Sequence, residues 1–336
     1  MKAFVYERYG PPETLRMAEV EKPAPEADEV LVRVLATSVN AADWHSMRGK
    51  PLFSRATLGL LQPKHKILGV DIAGQVESVG GSVTRFQPGD EVYANLLYRG
   101  YGGFAEYVSV PVDVMSLKPA NLSFEEAAAV PMAAVTALQG LRYHGEIRPA
   151  QKVLINGASG GVGTFAVQIA KSYGPEVTAV TSTQNIDLVR SLGADHVVDY
   201  TTTDFVRSER RYNLIFDTVG NRSVPDLRRA LAEGGRASVT GFTTTSEQLA
   251  HQVHWLLLRW GTSLANRMRV ALGGDKDIAR VSADVTTEDL KLLSGLIETG
   301  KVRSVIDRRY PFAEIPAAIA YLEEGHARGK VVVGIA

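Results

Sequence analysis

The sequence predicts an α/β fold made of a β-rich part and a doubly wound part with a parallel sheet. Up to about residue 120, short alternating apolar runs are separated by Gly, Pro, Asp and Asn, which is typical of half-buried strands. After Gln151 the pattern becomes strand, tight turn and helix, repeated several times. Such alternation implies helices on the faces of a parallel sheet.

In the β-rich part, the predicted strands are Glu29–Ser38, Ile67–Val79, Asp90–Asn95 and Phe104–Val110. Ser123 and Glu126 then form a capping-box pattern, which predicts the start of a helix. Pro131 interrupts this helix, and the helical pattern resumes over Ala133–Leu141.

In the doubly wound part, strands are predicted at Lys152–Asn156, Val177–Thr181, His196–Tyr200, Tyr212–Asp217 and Arg236–Gly241, with helices after Val162, over Ile186–Leu192 and near Pro225–Ala232. Residues 243–274 break the rhythm with an apolar segment that we interpret as one or two helices. The chain finishes with a helix over Thr287–Thr299, a strand over Val302–Ile306, a helix over Ile315–Glu324 and a strand over Lys330–Ile335.

A glycine-rich turn follows the strand Lys152–Asn156 and opens directly into a helix; it reads Gly157-Ala158-Ser159-Gly160-Gly161-Val162-Gly163. The N-terminus of a helix offers unpaired N–H groups and a positive dipole end to a pyrophosphate. Gly160 would let the phosphate approach the backbone, and Gly163 would let the helix pack closely on the strand. Glycine strings also occur in ordinary turns, but the flanking strand and helix favour a dinucleotide site.

The residues after the second predicted strand favour NADPH over NADH. An NAD site usually places an Asp or Glu about 20 residues after the turn, to hold the ribose 2′-hydroxyl. Here Ser182 stands at about that spacing and no acid is present, so nothing at this strand end repels a 2′-phosphate. The strand end also lacks Lys and Arg, and its hydroxyls serve equally well to cap the next helix.

Composition excludes several classes of function. The 37 Lys and Arg balance the 37 Asp and Glu, so no global field attracts nucleic acid or an anionic membrane. Cysteine is absent, which excludes disulfides, thiolate nucleophiles and every zinc site that uses Cys. Neither a secretory signal nor a transmembrane stretch is recognisable, so we expect a cytoplasmic protein.

Several motifs in order resemble the medium-chain dehydrogenase/reductase superfamily, and within it the zinc-independent quinone oxidoreductase branch. The resemblance rests on the glycine turn together with residues 38–43, 68–74, 86–92, 103–107 and 329–333. It implies a GroES-like catalytic domain formed by residues 1–120 and 301–336. It also implies a Rossmann domain over residues 121–300, with the apolar helical insertion near 243–274.

The resemblance also implies which residues contact the cofactor. Ser182 and Tyr200 would flank the adenosine 2′-phosphate, although the basic residue that the family places there is not matched; Gln184 and Asn185 are the nearest occupants. For Thr136, a helix hydroxyl bonded to its own backbone remains an alternative. The cofactor residues implied are Thr136, Ser159, Gly160, Gly161, Val162, Gly163, Ser182, Tyr200, Val219, Gly241, Phe242 and Lys330.

The chain departs from the zinc alcohol dehydrogenases at their ligand positions. Asn40 stands three residues before Asp43, where those enzymes carry a ligand Cys, and the seven histidines form no cluster, so we expect no metal. Without a metal to polarise a carbonyl, a planar apolar quinone or enone is the favoured substrate. Asn40 is the candidate donor to the enolate oxygen, with Asp43 beside it; a structural role for this turn is the alternative.

Three functions stay open at this point. The first is a zinc-free NADPH-dependent reductase of quinones or α,β-unsaturated carbonyl compounds. The others are a nucleotide-binding sensor that has lost turnover and an NAD(P)-dependent alcohol or aldehyde dehydrogenase. The resemblance also implies a possible homodimer. The locally basic, apolar segment 248–274 has four interpretations: a lid, a subunit contact, an interfacial amphipathic helix or a packed helical insertion.

Overall fold

The computed structural model describes residues 1–240 and 277–335, and of Phe53 the backbone only. The chain divides into two compact units. The first unit contains Met1–Val135 and Ala283–Ala336, and the second contains Thr136–Ser282.

The strands of the described residues are β1 Lys2–Val5, β2 Arg16–Glu19, β3 Glu29–Val39, β4 Asp71–Val79, β5 Glu91–Asn95, β6 Tyr107–Pro111, β7 Met115–Leu117, β8 Lys152–Asn156, β9 Glu176–Thr181, β10 His196–Asp199, β11 Tyr212–Asp217, β12 Leu231–Val239, β13 Ile278–Arg280, β14 Ile306–Pro311 and β15 Lys330–Gly334. The helices are α1 Ala41–Arg48, α2 Arg55–Leu58, α3 Phe124–Ala128, α4 Pro131–Gln139, α5 Gly161–Ser172, α6 Ile186–Ser191, α7 Val224–Ala230, α8 Thr287–Glu298 and α9 Ile315–Glu323. Short 3₁₀ turns and a π-helical turn over Gly140–His144 join some of them.

The first unit is built on a sheet in the order β14-β15-β3-β4-β5-β7, with β6 also paired to β3. All these pairs are antiparallel except β14 with β15. The long strand β3 alternates as the sequence predicts, because Val30, Val32 and Val34 enter one buried apolar cluster. Its carboxyl end is paired with β15 on one side and with β4 on the other, and α1 begins two residues after it.

Helix α8 belongs to the first unit, although the sequence predicts a Rossmann domain that extends to residue 300. The hydroxyl of Tyr93 on β5 donates to the carbonyl of Leu290 at 2.7 Å. Thr287 at the start of the helix donates to the carbonyl of Met115 on β7 at 3.0 Å. These contacts between α8 and the strands β5 and β7 are the physical reason for the difference in boundary.

The second unit is a parallel sheet in the order β10-β9-β8-β11-β12-β13 among its described strands. The chain runs outward from β8 through β9 to β10, and then returns to the other side of β8 with β11. The predicted doubly wound sheet is thus confirmed, and its direction reverses between β8 and β11. In such sheets, ligands bind at the carboxyl ends of the strands at this switch point.

Most predicted elements are found within one or two residues of their expected bounds, and the capping box at Ser123 and Glu126 is confirmed. The strand predicted at Val302–Ile306 is wrong. The strand in this region is β14, which starts at Ile306 because its partner β15 pairs it from Lys330 to Gly334. Val302 is buried in the structure but belongs to no strand, so its apolar character reflects burial alone. The predicted helices of 243–274 lie outside the described residues.

Within the described ranges, no helix is both long and apolar enough to cross a membrane.

Candidate functional site

The glycine turn of the second unit joins β8 to α5 at the switch point. Gly157 adopts a φ of 80°, and a Cβ placed on it would lie 2.4 Å from Thr218 Oγ1. A Cβ on Gly163 would lie 2.1 Å from the carbonyl oxygen of Gly157 and 2.7 Å from Ala158 Cα. Both of these atoms belong to the backbone, which cannot move aside as the end of a flexible side chain can. Gly163 therefore allows the first turn of α5 to lie directly against the end of β8, as the sequence predicts.

Gly160 differs from the other two glycines because its surroundings are open. It is the N-cap of α5 with a φ of −79°, and no side chain caps the helix. A Cβ placed on it would meet no atom closer than the carbonyl oxygen of Gly157 at 3.5 Å. The first N–H groups of a helix have no partner within the helix. The N–H groups of Gly161, Val162 and Gly163 are thus positioned to bind an anion such as a pyrophosphate.

Hydroxyl and amide groups gather beside the turn at the end of β9. The Thr181 hydroxyl donates to Ser159 Oγ at 2.8 Å. Asn185 Nδ2 reaches both Ser159 Oγ at 3.2 Å and Ser182 Oγ at 3.1 Å. Tyr200 is exposed, and its backbone N–H donates to the carbonyl of Thr181 at 3.0 Å. The structure therefore brings together Ser159, Ser182 and Tyr200, three of the predicted cofactor residues.

Asp217 orders the loop after β11 and is not among the site residues predicted from the sequence. Its Oδ1 accepts from Asn156 Nδ2 at 2.8 Å, from the Val219 N–H at 2.9 Å and from the Gly220 N–H at 3.0 Å. These bonds hold the predicted cofactor residue Val219 beside Gly157. An Asp at the end of the apolar run of a predicted parallel strand was the available signal.

The remaining predicted cofactor residues do not all join this group. Gly241 and Phe242 lie outside the described residues. Thr136 is buried in α4. Lys330 belongs to the first unit, where it is part of a buried polar cluster.

That cluster begins at the turn from β3 into α1. Asp43 Oδ2 accepts from the backbone N–H of Asn40 at 2.8 Å, and its Oδ1 accepts from the Gly69 N–H at 3.1 Å. Asp43 is fully buried. Both oxygens of Asp43 are thus used to fix local backbone, which is the structural role considered for this turn.

The side chain of Asn40 joins Lys330 to Asp71. Lys330 Nζ donates to Asn40 Oδ1 at 2.5 Å, and Asn40 Nδ2 donates to Asp71 Oδ2 at 2.9 Å. Asn40 Nδ2 also makes longer contacts with the carbonyl and the hydroxyl of Ser38, at 3.3 and 3.4 Å. Lys330 Nζ is 3.8 Å from Asp71 Oδ2. A buried ammonium therefore donates to the oxygen of the Asn40 amide, and a buried carboxylate beside it accepts from the nitrogen.

Asp71 is the centre of this cluster and was not predicted as a site residue. It accepts from Ser38 Oγ at 3.0 Å, from Asn95 Nδ2 at 2.7 Å and from the Met132 N–H at 3.0 Å. Ser38, Asp71 and Asn95 lie side by side because they are paired residues of β3, β4 and β5. Each of the three is a polar residue near the end of a predicted strand, which is a weak sequence signal. Only the strand register shows that they are neighbours.

Burial shifts the titration of the charged groups in the cluster. Removal from water raises the pKa of Asp43 to about 7, and the charge of Asp71 adds to this rise. Burial also raises the pKa of Asp71 and lowers the pKa of Lys330. Two acids share the cluster with one ammonium, so a protonated Asp43 leaves the cluster neutral overall.

A parallel sheet with this strand order and a glycine turn at its switch point defines a dinucleotide-binding protein. The chain matches the family model described as alcohol dehydrogenase GroES-like domain over residues 26–120 and the one described as zinc-binding dehydrogenase over residues 192–333. It is 34% identical to the chloroplastic NADPH-dependent alkenal/one oxidoreductase of Arabidopsis thaliana, over 99% of this chain and 79% of that protein. The chain belongs to the medium-chain dehydrogenase/reductase superfamily, in its quinone oxidoreductase-like branch.

Two further comparisons agree with this family. The 2-methylene-furan-3-one reductase of Solanum lycopersicum is 33% identical over 99% of this chain and 79% of its own length. The solved structure of the quinone oxidoreductase from Coxiella burnetii superimposes with a TM-score of 0.83 at 28% identity, over 100% of this chain and 99% of that one.

The description of the second family model raises the question of zinc, and the donor set here does not suit that metal. No group of three or more His, Cys, Asp or Glu residues that could hold a metal occurs in the described part of the chain. In the buried cluster, both oxygens of Asp43 and of Asp71 accept hydrogen bonds from protein donors. The Lys330 ammonium against Asn40 would also repel a divalent cation.

Proposed function

We propose that this chain is an NADPH-dependent, zinc-independent oxidoreductase that reduces quinones or α,β-unsaturated carbonyl compounds by hydride transfer. The observation that carries the proposal is the open helix N-terminus at Gly160, in a chain similar along 99% of its length to an NADPH-dependent alkenal/one oxidoreductase. The second relative named above is a reductase of a conjugated ketone, which supports the same substrate class.

The second unit would hold the cofactor, which supplies a hydride from the nicotinamide ring when bound. The N–H groups of Gly161, Val162 and Gly163 bind the pyrophosphate at the positive end of the α5 dipole. Ser159 and Ser182, which are hydrogen-bonded to Thr181 and Asn185, would bind the adenosine end of the cofactor.

The first unit would supply the group that stabilises the reduced substrate. A conjugated carbonyl that accepts hydride at its β-carbon develops negative charge on oxygen, and a preorganised hydrogen-bond donor stabilises that charge. In this proposal the donor is Asn40, because its carbonyl accepts from Lys330 and this polarises the amide. One Nδ2 hydrogen is bonded to Asp71, whereas the other makes the longer contacts with Ser38, which the substrate oxygen would replace.

Asp43 would act on Asn40 and would not touch the substrate. Its carboxylate bonds the backbone N–H of Asn40 and that of Gly69, and so fixes the turn that carries the amide. The proton that completes the reaction then comes from water in this scheme.

The test is the consumption of NADPH by the purified protein with matched pairs of substrates. Each pair combines an enone or enal with the saturated carbonyl compound of the same carbon skeleton, and a quinone series is measured beside them. We expect NADPH oxidation with the conjugated member of each pair and with quinones, and none with the saturated member. Equal rates within each pair, or no oxidation with any conjugated compound, would overturn the proposal.

A further inference from the structure

Asp199 lies at the same edge of the parallel sheet as the predicted 2′-phosphate site. It is the last residue of β10, which is paired with β9 so that Asp199 stands opposite Thr181. Ser182 directly follows Thr181 at the end of β9, and Tyr200 directly follows Asp199 at the end of β10. In a doubly wound sheet, the residues that follow the second strand lie at the ribose 2′ position of the cofactor. A carboxylate therefore belongs to this region, contributed by the third strand.

The carboxylate of Asp199 accepts hydrogen bonds from the neighbouring threonines. Thr183 Oγ1 donates to Asp199 Oδ2 at 2.5 Å. The N–H and the hydroxyl of Thr201 donate to Asp199 Oδ1 at 2.9 and 2.7 Å. A hydroxyl has a single hydrogen, so each of these two threonines has turned its hydrogen toward Asp199. These donors are consequently not offered to a phosphate.

Among the described residues, no cation neutralises the charge of Asp199. The bonds from Thr183 and Thr201 hold the pKa of Asp199 below its usual range, so it is ionised at neutral pH. In residues 1–240 and 277–335, no Lys or Arg forms an ion pair with it. The residues beside Ser182 include the uncharged Thr183, Gln184 and Asn185.

We propose that Asp199 is a specificity-determining residue that weakens the binding of the 2′-phosphate, so that the protein discriminates only modestly between NADPH and NADH. The inference rests on the proposed use of NADPH. A phosphate monoester carries a charge of about −1.5 to −2 at neutral pH, and a nearby carboxylate repels it. Because the region is exposed to solvent and salt, the repulsion is screened, and its removal changes affinity by about fivefold.

The test is the binding of NADPH and of NADH, each without substrate, to the wild type and to Asp199→Asn by isothermal titration calorimetry. The substitution removes the charge, keeps the shape and adds an amide donor. We expect the Kd of NADPH to fall about fivefold and the Kd of NADH to change less than about twofold. The matched control is Glu233→Gln, which removes the same charge from an exposed position near the start of β12, at the opposite end of the strands. This control leaves both constants unchanged.

A second measurement needs no substitution and so does not depend on the folding of a variant. Where a carboxylate repels the phosphate, added salt screens the repulsion, so the ratio of NADH Kd to NADPH Kd in the wild type rises with ionic strength. A phosphate held by a cation gives the opposite trend. A falling ratio, or a weaker or unchanged affinity of Asp199→Asn for NADPH, overturns the inference.

The outcomes separate this inference from the proposed function. If neither nucleotide binds, both fall. If both nucleotides bind and Asp199→Asn changes nothing, only the role of Asp199 falls. If Asp199→Asn acts as expected while no conjugated carbonyl or quinone is reduced, the role of Asp199 stands and the proposed substrate class falls.

Discussion

Lys330 Nζ lies 2.5 Å from Asn40 Oδ1, across 290 residues of sequence. The lysine is on β15 at the end of the chain, and the asparagine follows β3 near its start. The pairing of β15 with β3 places Val331 opposite Val39, and so brings the two side chains together. A buried ammonium thus stands beside the amide for which we propose a role in catalysis.

Replacement of Lys330 by Met is expected to destabilise the protein by about 3–5 kcal/mol, because it leaves Asp71 buried without a cation. Urea denaturation measures this change. The control Lys152→Met, at an exposed position at the start of β8, changes stability by less than about 0.5 kcal/mol. The double variant Asp71→Asn/Lys330→Met is expected to lose less than the sum of the two single losses, since the charges are removed together. Additive losses would show that the two residues do not interact.

Because the pKa of Asp43 is raised in the folded protein, we expect the stability of the protein to depend on pH. Burial raises its pKa to about 7 in the folded protein, above the ordinary value that it has when unfolded. The folded state therefore binds the proton more tightly, so the contribution of Asp43 is full below about pH 4 and is lost as the pH rises through about 7. We expect the free energy of unfolding of the wild type to fall, relative to Asp43→Asn, between about pH 4 and pH 7. Parallel curves for the two proteins would contradict the raised pKa.

Substitutions at two glycines of the turn should separate effects on stability from effects on cofactor binding. A Cβ at Gly163 meets the backbone of Gly157 at 2.1 Å, so Gly163→Ala is expected to cost about 1–3 kcal/mol in stability as well as affinity for NADPH. A Cβ at Gly160 meets only open space within 3.5 Å, so Gly160→Ala keeps the stability and weakens NADPH binding. Thermal melts and calorimetric titration measure both effects. Wild-type affinity in Gly160→Ala would show that no phosphate approaches this residue.

The metal content of the purified protein checks the assignment of zinc independence. Because Lys330 and hydrogen-bond donors occupy the oxygens of the cluster, we expect far less than one zinc per chain by elemental analysis and no loss of activity on treatment with a chelator. One tightly bound zinc per chain, with activity that disappears on its removal, would refute this assignment.

Local patterns predict much of the second unit because its elements are contiguous in sequence. The strands β8 and β11 lie where alternation and β-branched residues place them, and Gly163 has the packing role that its position implies. The edge strand β14 escaped prediction because it is polar, with Arg308 and Arg309 in it, and is defined by its partner β15.

The cluster around Asp71 could not be assembled from the sequence for a similar reason. Ser38, Asp71 and Asn95 are far apart in the chain and meet only through the register of three antiparallel strands. The sequence predicts Asn40 and Asp43 as a turn, but not that Lys330 completes the cluster from the last strand. Strand pairing determines which residues distant in sequence come into contact, and local sequence patterns do not predict that pairing.

The transfer of hydride from the nicotinamide to the β-carbon can be followed with a deuterium label. The protein is incubated with an enone and NADPH that carries deuterium at C4 of the nicotinamide, with each of the two stereospecifically labelled forms in turn. We expect one of the two forms to deliver its deuterium to the β-carbon of the saturated product, as seen by NMR and mass spectrometry. Product without deuterium at the β-carbon from either form, or no product at all, would contradict it.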